Sequence, residues 1–331
     1  MEKITDAINL LINKLKLGDV VRQEQIFGGL INKMYKVETS SGIFAIKLLN
    51  PDIIKSEYGV ANHILAETIS EIAKENGINT ITAIRFDGEF IQRVDNNCFL
   101  IFNWFDGKPL KTKDITMKHI KDVATILARL HNIDYGTIKN KCHQGIEITN
   151  TDWNYYIDKV EDEEIQELLL DNKEKLYSLD KKASECMQEI NKFQVVSHRD
   201  LDLPNILWNS NNELAIIDWE SAGLINPTQE FFETAWDWCG GHKGFDIEKY
   251  NLFFNTYQED GGIITDIEKA LYANFKAKSG WLEFNLKRLI DSDSKEEFDT
   301  GKKESLRMIK EIFDFYSVFS KLYSFELNSV K

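Results

Sequence analysis

Apolar residues at Ile4, Ala7, Ile8, Leu11, Ile12 and Leu15 recur every three or four positions, so the chain opens on an amphipathic helix. The period then changes to that of strands. Val20 to Phe27 leads into Gly28-Gly29, Met34 to Thr39 follows, and the turn Ser40-Ser41-Gly42 returns the chain into Ile43 to Leu49. Helical spacing resumes from about Ile53 to Lys74 and stops before Asn76-Gly77. Three further strands are predicted: Thr80 to Arg85, Glu89 to Val94, and Cys98 to Trp104, the last two joined by Asp95-Asn96-Asn97.

Phe105-Asp106-Gly107-Lys108-Pro109 breaks this pattern, and beyond it the chain is mainly helical. Thr116 is a suitable N-cap for a helix that buries Ile120, Val123, Leu127 and Leu130. A long polar helical region covers Asp152 to Ile190, a β-rich insert covers Val195 to Asp218, and helices continue from there. The class is α+β, with a strand-rich first lobe over residues 1–103 and a helical second lobe over 104–331. No internal repeat, low-complexity tract or Pro/Gly-rich linker interrupts it, and the four prolines are scattered. That is the arrangement of a bilobal, protein-kinase-like fold.

Composition narrows the function classes. With 331 residues, 43% of them hydrophobic, the chain can bury a core in each lobe, and no apolar run reaches the roughly 18 residues a membrane span needs. The four cysteines are far apart and form no CxxC pair, which points to reduced thiols in a cytoplasmic protein. The net charge of −14 is unevenly placed: residues 1–103 carry 11 basic and 13 acidic side chains, residues 104–331 carry 29 and 41. An acid excess argues against nucleic acid as a partner, suits a cationic small molecule, and equally serves as a solvated surface.

The sharpest motif is His198-Arg199-Asp200-Leu201-Asp202-Leu203-Pro204-Asn205, which fits the kinase catalytic-loop pattern H-R-D-L-x-x-x-N after an apolar strand. Phosphoryl transfer needs a carboxylate to orient and deprotonate the acceptor hydroxyl, and oxygens to hold Mg²⁺ against the phosphates. Asp200 suits the first task and Asn205 part of the second. Glu213 to Asp218 is an apolar strand ending in an acid, where a second metal-binding carboxylate is expected. Phe44-Ala45-Ile46-Lys47 is close to the kinase strand motif V-A-I-K, which would set Lys47 against nucleotide phosphates and a helix glutamate, Glu67 in preference to Glu57. The turn at Gly28 and Gly29 sits where a phosphate-covering loop would be, although alone it is a glycine hairpin.

The catalytic loop, Ile216-Ile217-Asp218-Trp219-Glu220, Leu127-Ala128-Arg129-Leu130-His131 and Phe102 to Gly107 together resemble the aminoglycoside phosphotransferase family, with its choline kinase-like relatives, over residues 20–290. The resemblance implies a small-molecule kinase using ATP or GTP with Mg²⁺. It makes Asp200 the base and Asn205 and Asp218 the metal ligands. Lys47 then contacts phosphates, and Phe102 and Trp104 lie beside the nucleotide base. The alternative is a non-catalytic binding or spore-coat protein on the same fold. Asp218 is followed by Trp219-Glu220 rather than Phe-Gly, and no Ala-Pro-Glu follows, which disfavours protein substrates. For an ammonium-bearing acceptor, Glu230, Glu233, Trp236, Asp237 and Trp281 are the candidate contacts, with core packing as the competing role of the tryptophans.

Overall fold

The structure is a computed structural model, and it describes residues 2–26, 32–142, 149–292 and 294–324. Gly28 and Gly29 lie outside the described residues. Helix α1 (Glu2–Lys14) is followed by strands β1 (Val20–Ile26), β2 (Lys33–Thr39) and β3 (Gly42–Leu48). Helices α2 (Pro51–Ile54) and α3 (Glu57–Glu75) come next, then β4 (Gln92–Val94) and β5 (Asn97–Asn103). The five strands form one antiparallel sheet in the order β1-β2-β3-β5-β4.

Strand alternation gives this sheet two faces with different tasks. Phe44, Ile46 and Leu48 of β3 and Phe99 and Ile101 of β5 pack with Ala7, Ile8, Leu11 and Ile12 of α1. Leu100 and Phe102 point the other way, into a cluster with Leu49, Ala83, Phe90 and Cys98. Lys47 falls on this second face: the register pairs it with Met34 and Leu100, as it pairs Ala45 with Lys36 and Phe102. The odd positions of β3 thus carry the one lysine of the strand into buried surroundings.

The strand expected over 80–85 does not form. Only Thr80 makes a bridge, to Ile216, and Ile81 N–H donates to Ile216 O at 2.9 Å while Ile84 N–H donates to Ile101 O at 2.7 Å. The segment divides its backbone bonds between two neighbours, so no continuous ladder develops. The strand expected over 89–94 is shortened to β4 because Glu89 closes a bridge with Phe86 and Phe90 turns into the core. The expected helix over 53–74 is divided, with Asn50 capping α2 and Ser56 capping α3.

Short strands follow: β6 (Lys108–Pro109), β7 (Val195–Ser197), β8 (Ile206–Trp208), β9 (Leu214–Ile216) and β10 (Gly223–Ile225). β6, β8 and β9 pair in that order. One compact unit comprises the described residues of Met1–Lys111, Ile133–Cys142 and His198–Gly223, so the sheet and the His198–Asn205 loop belong together. The other unit is helical, with α4 (Met117–His131), α5 (Trp153–Lys159), α6 (Glu163–Asp171) and α7 (Lys173–Ile190). It continues through α8 (Pro227–Trp238), α9 (Ile247–Glu259), α10 (Ile267–Asp291) and α11 (Lys295–Tyr323). The Thr116 hydroxyl caps α4 as the sequence indicates, and Ile120, Val123, Leu127 and Leu130 are buried. Phe231, Phe232, Trp236, Phe253, Phe315 and Phe319 form much of its aromatic interior. The architecture is therefore an antiparallel N-terminal sheet and a mainly helical remainder. All four cysteines are free and buried, and among the described residues no helix is long and apolar enough to cross a membrane.

Asn226 joins two elements of the helical unit. Its Oδ1 accepts from Thr228 and Gln229 N–H, capping α8, while Nδ2 donates to Ile190 O and Phe193 O just beyond α7. Asn226→Ala removes the cap and leaves the buried Ile190 carbonyl and the part-buried Phe193 carbonyl without this donor. It is expected to lower stability by about 2–3 kcal/mol in urea unfolding.

Candidate active site

Both ends of the loop that carries Asp200 bond to Ile217, the residue after β9. His198 Nε2 donates to Ile217 O at 3.0 Å, and Ile217 N–H donates to Asn205 O at 3.0 Å. Both backbone groups of Ile217 are thereby spent on the two ends of the loop. The His198 ring also meets Trp219 edge-on at 4.7 Å, and Trp219 Nε1 donates to Thr80 Oγ1 at 2.6 Å. Thr80 and Thr82 both bond Ser70 of α3, so the helix, the 80–82 segment and the turn after β9 are tied by one buried polar chain.

Within the loop Asn205 Nδ2 donates to Asp200 O and to Asp200 Oδ2, each at 2.9 Å. These bonds orient the Asp200 carboxylate, and Asn205 Oδ1 makes no bond among the described residues. Arg199 and Asp218 both have positive φ, 65° and 63°. For residues with a Cβ this is a strained conformation that only surrounding structure sustains, and such residues concentrate at functional sites. At Asp218 it turns the side chain out of β9 just before the helical turn Trp219–Ser221.

Lys47 meets Asp218. Its Nζ lies 3.0 Å from Asp218 Oδ1 and 2.6 Å from Glu220 Oε1. Burial favours the neutral amine, but the two carboxylates outweigh it and hold the ammonium well above the ordinary lysine range. Asp218 Oδ2 makes no bond among the described residues, and its side chain is 44% exposed. Asn205 Oδ1 and Asp218 Oδ2 are thus two oxygens free to take a hard cation, which prefers oxygen ligands. Among the described residues no three His, Cys, Asp or Glu side chains group as a metal site.

Glu67 is not the salt-bridge partner of Lys47 in this structure. Its Oε2 accepts from Ala83 N–H at 2.7 Å, and it is 5% exposed. Burial pushes its carboxyl up to about 7, against the lowering effects of the Ala83 bond and the Lys47 charge. Glu57, the other helix acid, is exposed in the first turn of α3. His63, one turn before Glu67, is buried with its Nδ1 unpartnered, and burial lowers its pKa.

Phe102 lies on the same sheet face as Lys47, and Trp104 continues that face with the Lys36 ammonium 4.4 Å from its ring centre. The five candidate acceptor contacts belong to the helical unit. Glu230 is buried, its Oε2 2.8 Å from His131 Nε2, whose Nδ1 is 2.6 Å from the Tyr257 hydroxyl. Trp236 is buried, stacked on Phe245 and edge-on to Phe315. Burial works against the Lys278 charge, but Glu311, bonded to it at 2.8 Å, and then Asp237 and Glu233 raise its pKa. Trp281 is half-buried and stacks on Phe284 at 5.2 Å.

Three residues of this constellation carried no sequence signal strong enough to assign them a role: Glu220, Asn32 and Asn62. Asn32 Nδ2 donates to both Glu220 oxygens, at 2.8 and 3.0 Å, and Asn62 Nδ2 donates to Glu220 O at 3.2 Å. A clue was the acid two positions after Asp218, since residues so close in sequence share its surroundings.

Residues 22–259 match the phosphotransferase enzyme family, APH, and the chain belongs to it. It is a phosphotransferase with an alcohol group as acceptor. Among solved structures it is similar to spectinomycin phosphotransferase in complex with ADP and spectinomycin, at 15% identity and a TM-score of 0.71, covering 92% of this chain and 97% of that one. The choline kinase LicA from Streptococcus pneumoniae is similar over 93% of this chain and 99% of its own, at 15% identity and TM-score 0.59. Plasmodium vivax ethanolamine kinase matches 87% of this chain and 81% of its own, at 18% identity and TM-score 0.56. At these identities the likeness is one of fold, the protein-kinase-like fold of aminoglycoside phosphotransferases and choline kinases. No curated protein matches the sequence.

The raised carboxyl of Glu67 gives stability a pH dependence. A carboxyl whose folded pKa exceeds its unfolded value binds its proton more tightly in the folded state. Its contribution is full below the unfolded value near 4.5 and is lost as pH rises through about 7. Replacing it by Gln should flatten the stability curve over that window, a difference of about 3 kcal/mol between its ends. Denaturant titrations of both proteins at pH 5 and pH 8 check this; parallel losses in both would refute it.

Proposed function

We propose that this protein is a small-molecule kinase that moves the γ-phosphoryl group of ATP or GTP to a hydroxyl of an aminoglycoside-like or other small polar acceptor. The observation that carries this reading is the pairing of two arrangements in one compact unit: Asn205 aiming the Asp200 carboxylate, and Lys47 held against Asp218. In the proposed reaction Asp200 accepts a hydrogen bond from the acceptor hydroxyl and takes its proton as the oxygen attacks the γ-phosphorus. The bond from that phosphorus to the β-phosphate oxygen breaks, and the nucleoside diphosphate leaves. Lys47 exchanges its carboxylate partners for phosphate oxygens, and Glu67, close enough to feel its charge, is the acid left to balance it. Asn205 Oδ1 and Asp218 Oδ2 would hold Mg²⁺, which when bound neutralises phosphate charge. Phe102 and Trp104 offer apolar surface beside the nucleotide base.

A cationic acceptor is favoured. Residues 104–331 carry 29 basic and 41 acidic side chains. Choline and ethanolamine, the acceptors after which two of the similar structures are named, are both amino alcohols that pair a cation with one hydroxyl. A cytoplasmic setting is consistent with the reduced, buried thiols. A coupled assay with Mg-ATP and Mg-GTP across amines, amino alcohols and sugars tests the class. Phosphorylation confined to neutral or anionic alcohols would refute a cationic acceptor, and the apparent affinity of a true one should weaken with added salt.

Two carboxamide substitutions separate the roles of the aspartates. Asp200→Asn removes the base while leaving Lys47, Asn205 and Asp218 in place, so turnover should fall about 10²–10⁴-fold with nucleotide affinity nearly unchanged. Asp218→Asn should weaken Mg-nucleotide binding as well as turnover. Steady-state kinetics with calorimetry distinguish the two, and near wild-type turnover in Asp200→Asn would remove Asp200 from the mechanism.

A further inference from the structure

Lys47 has two carboxylate partners and must give up both to reach phosphate, which raises the question of what becomes of Glu220. An ionised carboxylate that is one-quarter exposed and suddenly unpaired is costly. Asn32 is already in place to prevent this. Its side chain is buried, and Nδ2 reaches both oxygens of Glu220. Its Oδ1 accepts Asn50 N–H at 2.8 Å, which orients the amide with its donor end toward the acid. The Glu220 backbone is separately held by Asn62 of α3. Lys47 and Asn32 meet on the same oxygen, Glu220 Oε1, at 2.6 and 2.8 Å, so the two donors share one acceptor. Nothing else among the described residues donates to that carboxylate.

Resting on the kinase reading above, we propose that Asn32 is a positioning residue for phosphoryl transfer: it retains Glu220 beside Asp218 while Lys47 passes to the nucleotide's phosphates. It acts through Glu220 and touches neither nucleotide nor acceptor. The placement fits the task. Asn32 immediately precedes β2, and Glu220 lies two residues after Asp218, so the bond ties the entry of that strand to the turn that carries Asp218. A neutral donor is the required chemistry. A cation at position 32 would itself compete for phosphate, and an acid there would repel Glu220 and attract Lys47 away from the nucleotide.

Two consequences differ in sign. Without Asn32, Lys47 is the only donor to Glu220 and is harder to release, so nucleotide binding weakens. With Glu220 neutral, Lys47 has one fewer carboxylate holding it, so nucleotide binding without Mg²⁺ tightens.

The experiment is calorimetry with ADP and GDP, with and without Mg²⁺, on the full chain and its variants, with thermal unfolding recorded alongside. If the wild-type chain binds neither nucleotide, the kinase reading itself fails. If it binds one, Asn32→Ala should weaken that binding about 10-fold and Asn32→Asp more. Glu220→Gln should tighten Mg²⁺-free binding, and Asn32→Asp combined with Glu220→Gln, which exchanges donor and acceptor, should recover most of the affinity lost in Asn32→Asp. Wild-type affinity in Asn32→Ala would overturn the proposal. Where that variant does not fold, the double variant decides: no recovery over Asn32→Asp overturns it, and recovery supports it.

Discussion

The site depends on one ammonium buried among acids. Lys47 is carried into the protein by strand alternation, and a buried lysine without a counter-ion would deprotonate or force itself out. Asp218 and Glu220 supply the charge that keeps it protonated. The dependence is mutual, because two acids separated by one residue repel each other unless a cation stands between them. Several features of the first unit follow from this pairing. The left-handed backbone at Asp218 aims one acid at Lys47 and the following helical turn brings the second. The chain through Trp219, Thr80 and Ser70 fixes that turn to α3, and His198 with Asn205 carries the Asp200 loop on the strand that leads to it. A shift in β9 would move Asp200 and Asp218 together.

The pKa of Glu67 is raised first of all by burial, which the Ala83 N–H and the Lys47 charge offset only in part and to which the nearby Glu220 and Asp218 charges add. It is buried, bonded to one backbone N–H, and its pKa is pushed up to about 7. The polyphosphate of a nucleotide brings its own negative charge and Mg²⁺ brings positive charge, so nucleotide binding would redistribute partners among Lys47, Glu67, Asp218 and Glu220. The resting arrangement is one distribution of a fixed set of charges.

Much of this was legible in the sequence because it is local. The spacing from His198 to Asn205 places both functional side chains on one loop, where a bond between them needs only a short turn. The period-2 pattern of β3 puts Lys47 opposite Phe44 and Ile46 whatever the strand packs against. The amphipathic first helix and the Thr116 cap likewise need no tertiary information. The partners Lys47 has in this structure were not legible, because they come from the turn after β9, more than 170 residues away in sequence. The strand expected over 80–85 failed for a related reason: its residues are suitable for a strand, but two separate neighbours take its backbone bonds.

The candidate acceptor contacts show the opposite limit. Acid and tryptophan close together after the metal-binding strand read equally well as an ammonium site or as core, because cation–π recognition and core packing draw on the same residue types. Burial separates them. Trp236 has its faces covered by Phe245 and Phe315, and Glu230 is spent on His131. Trp281 retains exposed surface beside Phe284, and Glu233 and Asp237 keep part of theirs. An ammonium group must exchange water for acid and aromatic surface that is itself still solvated, since a carboxylate already desolvated and bonded gains little by changing partners. On that ground Glu233, Asp237 and Trp281 are the acceptor candidates that keep surface, while Glu230 ties α8 to α4 and Trp236 ties α8 to α11.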